Sequence, residues 1–166
     1  PKPRASARSS LIAAAINKES LNSNLFQGSA QTLNHFVPDG VRGALPQEDD
    51  LGIPYDPEQA AKYFAALIEE DPSIEPLQIF TMSNGNRPEM LEYIVADLMT
   101  ANVPVEVTVG EDWNEYGDML TGDMPYDLFL TGYCMEYDDG QSFWDAWLDG
   151  TFTTDRKSTR LNSSHV

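Results

Sequence analysis

The stretch from Thr131 to Gly140, TGYCMEYDDG, gathers one thiol, two phenols and three carboxylates into a single short loop. A segment that reads as a buried strand, YDLFLTG (Tyr126 to Gly132), leads into it, and QSFWDAWLDG behind it adds Trp144 and Trp147. Three kinds of chemistry use such residues. Glu136, Asp138 and Asp139 could supply the acid and base of a glycosidase, with the tryptophans as sugar platforms. That chemistry depends on a carboxylate separation, which spacing along a loop does not fix. Cys134 could be a nucleophile, but a thiol nucleophile wants a histidine base, and the chain has only His35 and His165. A half-buried structural thiol is the better reading. The third chemistry is binding without reaction. A loop that leaves the carboxyl end of a buried strand is where α/β proteins place their ligands.

Other motifs carry less. Asp112, Asn114, Gly117 and Asp123 fall at positions one, three, six and twelve of a calcium loop. Tyr116 and Leu120 occupy positions five and nine, however, where oxygen ligands belong, and a strand precedes the segment instead of a helix. Chance spacing in an acidic chain explains it. Ser83-Asn84-Gly85-Asn86, between a strand and a helix, invites a phosphate loop. It lacks both GxGxxG and a GK[ST] ending, so it reads as a turn. Arg87 opens a helix, where the dipole disfavours positive charge. The ordinary expectation is a surface pair with a neighbouring carboxylate; the functional alternative is a contact to a ligand carboxylate.

The elements that must position these residues sit in a chain of 166 residues, enough for one ordinary domain with a real core. The formal net charge is −17, and ten Lys and Arg face 27 Asp and Glu. Lys2, Arg4 and Arg8 cluster at one end and Arg156, Lys157 and Arg160 at the other. Between them only Lys18, Arg42, Lys62 and Arg87 are basic, and none lies from Pro88 to Thr154. Such a surface repels phosphate backbones and anionic lipid, so no nucleic-acid partner is expected. No apolar run reaches the ~18 residues of a membrane span, so no membrane insertion is expected either. A single cysteine excludes an internal disulfide and a cysteine-based zinc cluster. The basic opening PKPRASARSS reads as an entry in mid-protein. At the other end, DRKSTRLNSSH (Asp155 to His165) resembles the translation of a DNA-sequencing adapter. Residues 155–166 are therefore expected to be a non-native tail.

Along the body, Ser9 to Phe26 shows helical spacing through Leu11, Ile12, Ala15 and Ile16. A loop rich in Gly, Pro and Asp follows from Gln27 to Tyr55. Asp56-Pro57-Glu58-Gln59 then predicts a helix start, with Asp56 as cap, Pro57 in the first turn and Gln59 reaching back. That helix should stop before Pro72. LQIFTM (Leu77 to Met82) predicts a strand and RPEMLEYIVADLMTAN a helix with Met90, Leu91, Ile94, Val95 and Leu98 on one face. Val103, Val105, Val107 and Val109 alternate, as in a strand with one polar side. DWNEYGDMLTGD predicts a short helix presenting Trp113, Tyr116, Met119 and Leu120 inward. Strand, helix, strand, helix, strand with short connections implies a mainly parallel sheet.

Several of these segments resemble one family. AAAINKESL is similar to the A-I-N-[KR]-E helix of extracellular solute-binding proteins of family 5, the oligopeptide, dipeptide and nickel receptors of ABC importers. YDPEQAAKYFAALIEE resembles their YDPEKAKALLAEAG helix, and NRPEMLEYIVADLMTANVPVEV their helix–strand unit ending GI.VE. DWNEYGDMLTGDMPYDLFLTGY resembles W.EY…L..G.YDL…GW. The pieces keep their order from Ala13 to Trp147. EEDPS replaces the usual glycine after the second helix, ARSSL an arginine-rich helix opening, and Tyr133 the usual tryptophan.

The resemblance implies an α/β fold, a periplasmic binding protein type II-like lobe with a mainly parallel sheet flanked by helices. Residues 1–154 would form an incomplete C-terminal lobe. It implies the substrate-binding component of an ABC importer, passing peptides or other small solutes to a permease complex. The place would be the periplasm or the extracellular face of the membrane, lipid-anchored or free. No catalysis and no cofactor are implied. In the oligopeptide branch the loop after this strand reads W-C-A-D-Y, and its Asp meets the peptide α-amino group. The resemblance places Glu136 at that carboxylate, with Tyr133, Cys134 and Tyr137 along the wall and Arg87 as a further candidate. Asp139 is expected to face solvent. The alternative is a carbohydrate-active enzyme or oligosaccharide-binding protein using Glu136 and Asp138.

Overall fold

The computed structural model describes residues 5–46, 52–112, 114–117 and 126–148. They fall into two compact units. The first takes its described residues from the spans Pro1–Thr32, Gly52–Asp112 and Pro125–Thr131, the second from Leu33–Leu51, Trp113–Met124 and Gly132–Val166.

The first unit contains α1 (Ala5–Ala15), α2 (Lys18–Leu25), α3 (Pro57–Glu70), β1 (Leu77–Met82), α4 (Arg87–Thr100), β2 (Val105–Gly110) and β3 (Leu128–Leu130). Its sheet has the order β2-β1-β3, and both pairings are parallel. Ile79 of β1 sits opposite Val107 on one side and Leu128 on the other. The core joins Leu11 and Ala15 of α1, Phe64 and Leu67 of α3, Leu77 and Ile79 of β1, and Leu91 and Leu98 of α4. Parallel strands buried by helices read as apolar runs, and LQIFTM does so, with five of its six residues buried.

Local chemistry sets the boundaries. The single helical run expected from Ser9 to Phe26 breaks at Ile16 and Asn17. There Asn17 Oδ1 accepts from the Ser20 N–H at 2.9 Å, and the Asn17 N–H donates to Asp97 Oδ2 of α4 at 2.8 Å. The side chain caps a new helix while the backbone is tied to a distant one. At α3, Asp56 Oδ1 accepts from the Gln59 N–H at 2.9 Å, as its sequence implies. Gln59 does not complete a capping box, because the Asp56 N–H donates to the Ala14 carbonyl at 2.8 Å. The helix ends at Glu70, before Pro72. α4 ends through Asn102, whose φ of 59° is the left-handed position that Asn tolerates, and the Val103 N–H returns to the Leu98 carbonyl at 3.0 Å.

The valine alternation along β2 is a real strand, but its apolar side is only partly covered. Val103 is buried and Val105 half-buried, whereas Val107 and Val109 are 43% and 38% exposed. β2 is an edge strand, and the described helices cover only its start. β3 is shorter than YDLFLTG suggests. Only Leu128 to Leu130 pair, held by the Asp127 carboxylate accepting from the Gln78 N–H at 3.0 Å and by Thr81 Oγ1 donating to the Leu130 carbonyl at 2.8 Å.

In the second unit, residues 114–117 form a helical turn with Tyr116 half-buried. Trp113, Met119, Leu120 and the rest of the calcium-like spacing to Asp123 lie outside the described residues, as do residues 155–166. The second unit also holds α5 (Gln141–Leu148). No helix among the described residues is long and apolar enough to cross a membrane.

Candidate functional site

The chain leaves β3, passes Thr131, and enters the second unit at Gly132. Residues 133–140 have no regular structure and run straight into α5. The helix start explains the loop's shape. Asp139 Oδ1 accepts from the Gln141 N–H at 2.9 Å, and the Asp139 carbonyl accepts from the Ser142 N–H at 2.9 Å. Asp139 is half-buried and forms an Asx turn just ahead of the helix; it does not simply face solvent. Its other oxygen lies 3.7 Å from Arg42 Nε.

The segment 33–46, part of the Gly- and Pro-rich loop, braces this turn from the other side. The Gly140 N–H donates to the Arg42 carbonyl at 2.7 Å. A Cβ on Gly140 would lie 3.0 Å from that oxygen and 3.2 Å from both methyls of buried Val37. Only glycine lets the two segments approach this closely. His35 holds the bracing segment, with Nδ1 2.6 Å from the Val37 carbonyl and Nε2 3.4 Å from Asp39. Phe143 is packed edge-on by Phe36 and by Tyr133, with centroids at 6.0 and 5.7 Å. In the sequence, only the FVPDGVRG punctuation sets 33–46 apart from ordinary loop.

Each candidate residue has a definite place. Tyr133 is half-buried against Phe143. Cys134 is exposed, which corrects the expectation of a half-buried thiol, since it lies in the run 134–138 whose residues are all exposed. Glu136 is exposed, yet its backbone is fixed: the Glu136 N–H donates to Ser142 Oγ at 2.8 Å, and Ser142 is only 1% exposed. Tyr137 donates from its hydroxyl to Asp145 Oδ2 at 2.5 Å, while Gln141 Nε2 donates to Asp145 Oδ1 at 3.3 Å. The hydrogen bond to Asp145, then desolvation, then the Asp145 and Asp139 charges push the Tyr137 phenol up to about 12. Tyr133, Cys134, Glu136 and Tyr137 therefore belong to one unit and one continuous loop.

The carboxylates around this loop divide into two kinds. Asp39 faces His35, Asp139 faces Arg42 and the α5 amides, and Asp145 is held by Tyr137 and Gln141. The carboxylates of Glu136 and Asp138 have no partner among the described residues. No cluster that could hold a metal ion occurs among the described residues.

Arg87 lies in the first unit, at the start of α4. It does not pair with a carboxylate as expected. Nη1 donates instead to the Asn84 carbonyl at 2.9 Å and to Asn84 Oδ1 at 2.6 Å, closing the Asn84-Gly85-Asn86 turn on itself. Gly85 makes that turn possible with φ 67°. Nε and Nη2 of Arg87 have no partner among the described residues.

The profile of the bacterial extracellular solute-binding proteins, family 5 Middle, matches residues 12–155. The chain is similar to the peptide transport periplasmic protein SapA of Salmonella typhimurium, 28% identical over 136 residues, covering 80% of this chain and 24% of SapA. Among solved structures it is similar to the ABC transporter-associated periplasmic binding protein DppA of Helicobacter pylori in complex with the peptide STSA. That likeness has a TM-score of 0.71 at 21% identity and covers 95% of this chain and 32% of DppA. It is also similar to an oligopeptide-binding protein of Thermotoga maritima with mannohexaose bound, with a TM-score of 0.62 at 22% identity, covering 90% of this chain and 31% of that one. The chain thus spans about a quarter of SapA and under a third of these solved chains. The fold is that of the type II periplasmic binding proteins, with a parallel sheet flanked by helices.

Proposed function

This chain belongs to the bacterial extracellular solute-binding proteins of family 5, and we propose that the protein captures peptides at the loop 133–137 for delivery to an ABC permease complex. It would work in the periplasm or at the extracellular face of the membrane. The observation that carries the reading is the state of Glu136. A carboxylate that is exposed and has no partner among the described residues sits on a backbone held by a buried hydroxyl, while Asp139 and Asp145 beside it are already compensated. An ammonium group brought to this loop meets one uncommitted anion on a fixed support, with Tyr133 and Tyr137 as walls. Closure of a second lobe would dry that contact and strengthen it. SapA and the H. pylori DppA carry peptide in their names or bound to them, which supports the ligand class.

A second reading concerns the ligand alone. Trp144 is 48% exposed and meets Phe36 in a tilted ring pair at a centroid distance of 4.9 Å. Exposed aromatic pairs suit sugar faces, and the T. maritima relative was solved with mannohexaose. The relatives are binding proteins, so no acid–base role for Glu136 and Asp138 is proposed.

Calorimetric titration of the intact protein with trialanine, N-acetyl-trialanine and mannohexaose tests the assignment. Saturable binding of trialanine that acetylation abolishes is the expected result. Binding of mannohexaose alone would favour the sugar reading, and steady turnover heat would contradict both.

A further inference from the structure

We infer that Ser142 is the positioning residue of the ligand loop, the group through which α5 sets the place and direction of Glu136. The inference rests on the peptide-receptor reading above. Three observations carry it.

Ser142 is almost wholly buried, at 1% exposure, in a unit whose other loop residues are largely open to solvent. A buried hydroxyl is costly to keep unless it is hydrogen-bonded. Its bond is to the backbone N–H of Glu136, six residues earlier, at 2.8 Å. The same residue is tied to the helix start through its own N–H, which donates to the Asp139 carbonyl at 2.9 Å. Ser142 therefore joins two points of the loop, positions 136 and 139, to one rigid element. The helix start is itself anchored by the Gly140 N–H on the Arg42 carbonyl. Among the described residues, position 136 is the only one from Met135 to Asp138 whose backbone is hydrogen-bonded outside the loop.

The consequence is preorganisation. An exposed carboxylate on a free loop would lose backbone entropy each time a ligand bound. Holding the Glu136 amide in advance removes most of that loss. Tyr137 adds a second tether, since its hydroxyl reaches Asp145 of the same helix. The tether at 137 holds a side chain, however, whereas Ser142 holds the backbone beside the charge.

The test uses the intact protein and two variants of one residue. Ser142→Ala removes the acceptor and leaves a small void. Ser142→Cys fills nearly the volume of serine but offers only a weak acceptor. Two quantities are read under reducing conditions: hydrogen exchange at the Glu136 amide without ligand, and the Kd for trialanine. A positioning role predicts a protected Glu136 amide in the wild type and faster exchange in both variants. It also predicts trialanine binding about three- to tenfold weaker in both, the range for one neutral hydrogen bond. Combining either variant with Glu136→Gln should then add little to the loss from Glu136→Gln alone. A packing role predicts that Cys behaves like wild type and only Ala is impaired, which would overturn the inference. An unprotected amide in the wild type, or fast exchange with unchanged Kd, would overturn it as well. If the wild type binds no trialanine, the peptide reading fails, and the exchange data alone then decide whether Ser142 holds Glu136.

Discussion

The hydroxyl of Tyr137 donates a 2.5 Å hydrogen bond to Asp145, joining the loop 133–140 to the helix that follows it. The partner is a carboxylate, so ionising the phenol would turn the bond into a repulsion. That is why the Tyr137 pKa is pushed from 10.0 up to about 12. A raised folded-state value means that the fold favours the protonated phenol. The stabilisation is whole below about pH 10, the unfolded value, and is lost as pH rises through about 12. Tyr137→Phe should therefore lower the urea midpoint slightly at neutral pH and flatten its fall in the alkaline range. A variant whose midpoint falls as steeply as wild type there would show that Tyr137 does not couple to Asp145.

Gly140 is expected to resist any side chain. A Cβ would sit only 3.0 Å from the Arg42 carbonyl and 3.2 Å from the Val37 methyls, so these neighbours would have to shift, and the first of them is backbone. Gly140→Ala should cost about 1–3 kcal/mol, the range for overpacking. Gly117 serves as control, since a Cβ there meets nothing within 4 Å and its φ is not in the left-handed region. Gly117→Ala should be neutral or slightly stabilising. Urea unfolding of both variants decides, and equal effects would contradict the packing described.

What could be read from the sequence was what depends on near neighbours. Asp56-Pro57 marks the start of α3 because a cap and a first-turn proline act within one helical turn. LQIFTM, the helix after it and the parallel order followed from period and connection length. The break at Asn17 was not legible, because it needs Asp97, eighty residues away, to hold the Asn17 amide. Val107 and Val109 alternate like a buried face, but alternation cannot say which part of a face has a helix over it. The loop 131–140 stood out as a candidate site from its residue types alone. That Asp139 turns the chain into α5, and that the Glu136 amide bonds to Ser142, required the fold.

The start of α3 offers a separate check on the first unit. Asp56→Ala removes the side-chain acceptor for the Gln59 N–H and should cost about 0.5–2 kcal/mol. Asp56→Asn or Asp56→Ser should recover most of the loss, because either side chain can still accept. A loss that neither recovers would place the role of Asp56 elsewhere than in capping.

The central claim is that Glu136 is the uncommitted anion of a ligand clamp. Glu136→Gln keeps the size and removes the charge, and Asp138→Asn does the same at an exposed neighbour that likewise has no partner among the described residues. Calorimetric titration of the intact protein with trialanine at moderate salt compares the two directly. Glu136→Gln should lose about 2–5 kcal/mol of binding free energy, as when one side of a desolvated charge pair is removed, and Asp138→Asn should lose under about 1 kcal/mol. Equal small losses at both positions, or a large loss confined to Asp138, would contradict the account.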